Sequence, residues 1–245
     1  METEWLALEK VQVPAPPFLE GLRIALLSDF HLYPHTRIEL IQAAVEQTLD
    51  LKPDLIALTG DFVQERADAI FELAPVLARM NARHGIFCVL GNHDHWKGAE
   101  VVMQGLTEAG LEVLDNRGVQ IDHGGSTFYL AGVDDVWSGR PDLQAALAGH
   151  QQDDPIILLS HAPDPADDYC QDRRICLQLS GHSHGGQVRI PFFGSPFLPP
   201  YGRKYDLGLY RIHDAWLYTN RGIGVTVPIR LNCRPEVTEI TLVRP

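Results

Sequence analysis

Short apolar runs alternate with segments of helical spacing through the first half of the chain. Residues 22–27, 55–58 and 86–90 are each almost wholly apolar, the pattern of parallel strands buried on both faces. Between them, Ile38, Ile41, Val45 and Leu49 fall near helical spacing and predict a helix over 37–49. A second helix is predicted over 67–79, kinked or split by Pro75, and a third over 101–109. Strand, loop and helix thus follow one another three times, which predicts a layered α/β fold with a mainly parallel sheet.

The second half changes character. Residues 128–133, 156–159 and 175–179 read as strands, with a short helix at 143–147. From 185 to 245 the pattern is mostly β, with candidate strands at 188–190, 207–212, 216–219 and 237–243. A long irregular loop rich in Gly, Pro and aromatic residues covers 191–205. Pro14, Pro16 and Pro17 mark residues 1–20 as an N-terminal lead-in. Polar clusters recur at strand ends from Asp29 to His184 with no break between them. The chain 1–245 is therefore expected to form a single domain.

Composition narrows the function classes. With 32 acidic against 20 basic residues the net charge is −12, which disfavours general nucleic-acid binding and a polybasic membrane contact. The four cysteines, Cys88, Cys170, Cys176 and Cys233, form no CxxC pair and suggest neither a disulfide framework nor a zinc knuckle. No apolar stretch is long enough to cross a membrane and no signal peptide is visible, so the cytoplasm is the expected location, with peripheral membrane contact left open.

Five polar clusters carry the chemistry. They are Asp29-Phe30-His31, Gly60-Asp61, Gly91-Asn92-His93-Asp94, His161, and Gly181-His182-Ser183-His184. Each lies just past a predicted strand, and loops beyond the carboxyl ends of parallel strands gather at one edge of a sheet. Alone, each has an ordinary structural explanation: Asp29 and Asp61 could cap helices, and Asn92 could shape a turn. Together they offer seven candidate metal ligands, Asp29, His31, Asp61, Asn92, His161, His182 and His184. Carboxylate, imidazole and amide oxygen suit Mn²⁺, Fe or Zn²⁺. Seven ligands are too many for one ion and suit two, bridged by one carboxylate. Such a pair clamps the attacking and leaving oxygens of a phosphoryl transfer.

This ordered set resembles the signature of the calcineurin-like metallophosphoesterase superfamily. The run from Gly181 to Val188 (GHSHGGQV), with Arg221-Gly222-Ile223-Gly224 and Pro235-Glu236, resembles one bacterial branch. Members of that branch often carry an N-terminal membrane or export segment. The resemblance implies a four-layer αββα sandwich of two mixed β-sheets flanked by helices. It implies that Asp29, His31, Asp61 and His184 hold one ion, and that Asp61, Asn92, His161 and His182 hold the other. It also implies that His93 assists the leaving group, with Asp94 steadying its ring. Two divalent cations are expected, Mn²⁺ first, with Fe and Zn²⁺ as alternatives. The implied activity is phosphodiester hydrolysis by in-line attack of a water held between the ions, and the expected partner is a phosphorylated small molecule, either a diester or a nucleotide-linked lipid.

Further residues carry weaker expectations. His95, Arg221 and Arg230 are candidates for substrate contact, since guanidinium matches phosphate geometry. His35 and Trp96 are candidates for the same cleft. Phe192, Phe193, Phe197, Tyr201 and Tyr205 would form an apolar substrate wall or cover the second sheet. Two other readings compete. One is a hydrolase resembling those that cleave the pyrophosphate of UDP-2,3-diacylglucosamine. The other is a catalytically silent protein-binding scaffold, which the full set of ligands disfavours.

Overall fold

The computed structural model describes residues 2–150 and 154–245. The first strands are β1 (Ala7–Pro14), β2 (Arg23–Leu27), β3 (Leu55–Leu58), β4 (Ile86–Cys88) and β5 (Glu112–Val113). A second group comprises β6 (Arg117–His123), β7 (Ser126–Gly132), β8 (Ile156–Leu159), β9 (Ile175–Ser180), β10 (Gly208–Ile212) and β11 (Ala215–Thr219), and β12 (Glu236–Val243) returns to the first. One sheet runs β1-β12-β2-β3-β4-β5 and the other β10-β11-β9-β8-β7-β6. Both are mixed. In the first, β2 to β5 are parallel and β12 is antiparallel to β2; in the second, β7, β8, β9 and β11 are parallel.

Period-two alternation explains the layers. On β2, Ala25 and Leu27 face α1 (Ile38–Leu51), α2 (Ile70–Leu77) and α3 (Asn92–Glu108), while Ile24 and Leu26 face the other sheet. On β8, Ile157 and Leu159 meet them in the inter-sheet core, while Ile156 and Leu158 face the short helices α4 (Leu143–Ala146) and α5 (Ala166–Tyr169). Helices therefore cover the outer faces of two packed mixed sheets, the αββα sandwich. The apolar runs are continuous because both faces of the central strands are buried. Among the described residues no helix is long and apolar enough to cross a membrane. All four cysteines are free.

Several elements differ from the sequence reading. The segment read as a lead-in contains β1, whose eight residues pair in parallel with β12. As an edge strand it buries little, so its residues read as polar. The strand predicted at 128–133 is β7, but its partner β6 is not foreseen; their hairpin closes on Gly124-Gly125, both at positive φ, as a two-residue turn requires. α3 starts at Asn92, nine residues before the predicted start at 101, with a break at Gly98. The predicted strand at 188–190 reduces to isolated bridges from Val188 to Leu231 and from Ile190 to Gly194.

The β12–β2 pairing carries an ion cluster in which Glu239 is buried while Arg23 and Lys10 reach solvent. The Glu239 carboxylate accepts from Arg23 and lies 2.9 Å from Lys10 Nζ. Burial would raise its pKa, but Arg23 and Lys10 outweigh burial and hold it below its ordinary value. Glu239→Gln is expected to cost on the order of 1–2 kcal/mol at neutral pH. A depressed carboxylate stabilises above its unfolded pKa, and that contribution disappears as pH falls through the folded value. Urea unfolding of both forms should therefore differ at pH 7 and converge in acid.

Candidate metal centre

The carboxyl ends of β2, β3 and β4 in one sheet and of β8 and β9 in the other lead into the five clusters, and the side chains meet where the sheets adjoin. Three groups of potential ligand atoms converge: Asp29 with His31 and His184; His31 with Asp61 and His93; and Asp61 with His161 and His182. Asp61 links them, because its Oδ2 lies 3.4 Å from His31 Nε2 and 3.3 Å from His161 Nε2. All seven candidate ligands are buried, Asp29 and His31 completely.

Backbone conformation delivers these side chains. Asp29, His31, Asp61, His182 and His184 all adopt left-handed φ, between 44° and 70°. Such geometry is uncommon outside glycine and is tolerated best by Asn, Asp and His. Two glycines permit close approach. A Cβ on Gly181 would strike Ser28 Oγ and Asp29 Oδ2, and one on Gly91 would strike Asp61 Oδ1 and His161 Cε1. Neither aspartate is the N-cap of the helix that follows it: Arg37 holds that position for α1 and Ala69 for α2.

Hydrogen bonds fix the ring orientations. His161 Nδ1 donates to the Thr59 carbonyl at 2.6 Å, and His182 Nε2 donates to the Pro200 carbonyl at 2.8 Å. Each bond assigns the hydrogen to the outer nitrogen and turns the other toward the site, as in metal-ligating imidazoles. Those inner atoms, His161 Nε2 and His182 Nδ1, lie 3.1 Å apart. His31 Nε2 and His184 Nε2 lie 2.9 Å apart. Asn92 Oδ1 is buried without a hydrogen-bond partner. Facing nitrogen lone pairs, an orphaned amide oxygen and two buried carboxylates form a donor set that fits divalent cations.

The electrostatics are those of a site built around positive charge. Burial would raise both aspartates, but His184 and His31 hold Asp29 well below the carboxylate range, and His161 and His31 do the same for Asp61. Burial would lower His161, yet the Asp61 carboxylate pushes it up to about 10. Burial and His161 together lower His182 to about 4. Cation binding replaces such imidazole protons.

His93, in one group with His31 and Asp61, is half-buried, its ring 4.7 Å from that of His31. Its backbone N–H donates to Asp61 Oδ1 at 2.8 Å. Asp94 does not hold the His93 ring, contrary to expectation. Its Oδ1 accepts from Phe62 and Val63 N–H and its Oδ2 from Gly91 N–H, so it ties the Asp61 loop to the start of α3. Burial and the Asp61 charge push Asp94 up to about 7.

The expected substrate contacts also need correction. His95 pairs with Asp134 at 2.7 Å instead of facing the cleft. Arg221 is held by Glu9 and Glu236. Arg230 is 1% exposed and donates to the carbonyls of Arg221, Gly222, Gly224 and Cys233. That clamp shapes the segment whose Ile223 and Gly224 N–H groups donate to the Ser28 and Asp29 carbonyls. Both arginines thus support the backbone under Asp29. His35 lines a small depression with Thr36 and Glu4, apart from the clusters.

A cleft of about 640 Å³ opens over Asp61, Asn92, His93, His182 and His184. Trp96 and Trp137 wall it, packed edge to face at 5.0 Å. Sequence reasoning missed Trp137. The Asp135 carboxylate accepts from Trp137 and Ser138 N–H and so shapes the loop carrying that ring. Of the predicted aromatic wall, Phe197 lines the cleft, whereas Tyr205 is buried in the core outside the second sheet.

Residues 22–186 match the family model described as calcineurin-like phosphoesterase. The chain belongs to that family. It is similar to the uncharacterized metallophosphoesterase YkuE of Bacillus subtilis, 36% identical over 232 residues, which span 93% of this chain and 81% of that one. It is also similar to the phosphodiesterase YaeI of Escherichia coli, 35% identical over 237 residues, covering 94% and 83%. Among solved structures, Haemophilus influenzae NAD nucleotidase shares the fold with TM-score 0.57 and 18% identity, over 83% of this chain and 45% of that one. TT1561 of Thermus thermophilus does so with TM-score 0.56 and 15% identity, over 83% and 90%. At family level the activity is metal-dependent phosphoester hydrolysis, and the His/Asp clusters suit a two-ion centre.

Gly91→Ala should force Asp61 and His161 apart. The expected result is a drop in Mn²⁺ affinity of roughly ten- to a hundredfold. Equilibrium dialysis with elemental analysis measures it, and circular dichroism checks that the fold persists.

Proposed function

We propose that the chain is a two-metal phosphodiesterase. The observation that carries this reading is the Asp61 carboxylate shared between two buried histidine clusters. Asp29, His31, Asp61 and His184 would hold one ion, and Asp61, Asn92, His161 and His182 the other. Two divalent ions, Mn²⁺ foremost, would supply Lewis-acid neutralisation of phosphate charge and a water acidified for attack.

The chain's own residues supply the remainder. The backbone N–H groups of His182 and His93 hold the Asp29 and Asp61 carboxylates in place. Hydrogen bonds from His161 and His182 to main-chain carbonyls fix both rings before substrate arrives. His93, at the cleft edge with Nδ1 unpartnered, would hand a proton to the leaving oxygen. Diester preference is favoured by that acid and by the likeness to the E. coli phosphodiesterase. Residues 1–245 would act as one domain, since β12 bonds to both β1 and β2. The pyrophosphatase reading is disfavoured, because the residues lining the cleft include no Lys or Arg for a second phosphate.

The test is hydrolysis of bis(p-nitrophenyl) phosphate by stripped protein repleted with Mn²⁺. Turnover should need the metal and exceed that of p-nitrophenyl phosphate. His93→Ala should lose about 10²–10⁴-fold in kcat while keeping both ions. Metal-loaded protein inactive on both esters would overturn the reading.

A further inference from the structure

Away from the clusters and the two tryptophans, the polar side chains that line the cleft are hydrogen-bonded within the protein. Gln187 lines it, but its Nε2 donates to the Val227 and Ile229 carbonyls, and its Oε1 accepts from Thr226 N–H and Oγ1–H. Thr226 is thereby occupied as well. The Ser183 hydroxyl donates to the Asp206 carbonyl and accepts from Gly185 N–H. The remaining lining side chains include Trp96 and Trp137, whose indole N–H groups join none of these bonds, and the wholly apolar Phe197, Leu198, Val227 and Ile229.

All of these but the half-buried Leu198 are exposed, with Phe197 at 81% and Val227 at 52%. The strap beside them carries further exposed apolar residues, Phe192 and Phe193, and Ile190 bridges back to Gly194 within it. An exposed apolar patch this extensive beside a reactive centre is the mark of a binding surface.

We infer that the substrate is a phosphoester carrying one phosphate and an alkyl or acyl chain, and that the Phe197–Val227–Ile229 side of the cleft holds that chain. This rests on the phosphodiesterase reading. Against Phe197, Val227 and Ile229 a ribose or base would set hydroxyls and amides beside side chains that offer no hydrogen-bond partner, and an unpaired polar group there costs affinity. A methylene chain meets no such cost.

The experiment uses the full-length, Mn²⁺-loaded protein and the methyl, butyl and octyl p-nitrophenyl phosphodiesters, with thymidine 5′-(p-nitrophenyl phosphate) as the nucleoside arm. All release the same chromophore. KM should fall at least about tenfold from methyl to octyl, with kcat nearly constant. The Phe197→Ser, Val227→Ser double variant should flatten that trend. Calorimetry with methyl and octyl phosphate, below the micelle threshold, supplies a readout independent of turnover. Octyl phosphate should bind at least about tenfold more tightly. Equal KM across the series with equal affinities, or preference for the thymidine ester, overturns the inference and leaves the phosphodiesterase reading standing. Tighter octyl phosphate binding without turnover of any ester supports the apolar site and overturns the catalytic reading.

Discussion

Two carboxylates buried between two sheets are the constraint that orders the rest of this molecule. An ionised carboxylate taken out of water costs several kcal/mol unless it is matched by donors or by positive charge. Asp29 and Asp61 receive backbone N–H groups from His182 and His93, and imidazoles crowd their remaining oxygens. Much of the surrounding structure serves that arrangement. Arg230, buried and without a carboxylate of its own, clamps the segment that hydrogen-bonds to the Asp29 main chain. Asp94 ties the Asp61 loop to α3.

The donor geometry gives those costs a purpose. Imidazole nitrogens facing each other at about hydrogen-bond distance, and an amide oxygen with no partner, form a donor set that suits a divalent cation. The overall negative charge of the chain would repel a phosphate, so the attraction has to be local. No lysine or arginine lines the cleft, so that local charge would fall to ions held by the His/Asp clusters.

The sandwich and the cluster were legible in the sequence for one physical reason. Strands buried on both faces leave unbroken apolar runs, and the loops after them must point the same way. That placed Asp29, Asp61, Asn92, His161 and His182 together before any coordinates. What the sequence hid was decided by tertiary partners. The role of Asp94 depends on three N–H groups from two loops. Arg221 is surrounded by glutamates 212 and 15 residues away. The committed state of Gln187 arises from main-chain carbonyls some 40 residues on. β1 was lost because an edge strand needs no apolar face of its own, and Trp137 because a loop ring leaves no periodic signal.

The position of β12 bears on how the chain acquires its fold. β1 and β2 never pair with each other; the strand between them comes from residues 236–243, and the Arg23–Glu239 bond spans 216 positions. During synthesis both strands therefore present open edges until residues 236–243 have emerged, and such edges invite mispairing. Long-range closure of this kind slows folding. The segment that supports Asp29 is also made late, so the ligand loops cannot reach their final conformation before the chain has closed its first sheet.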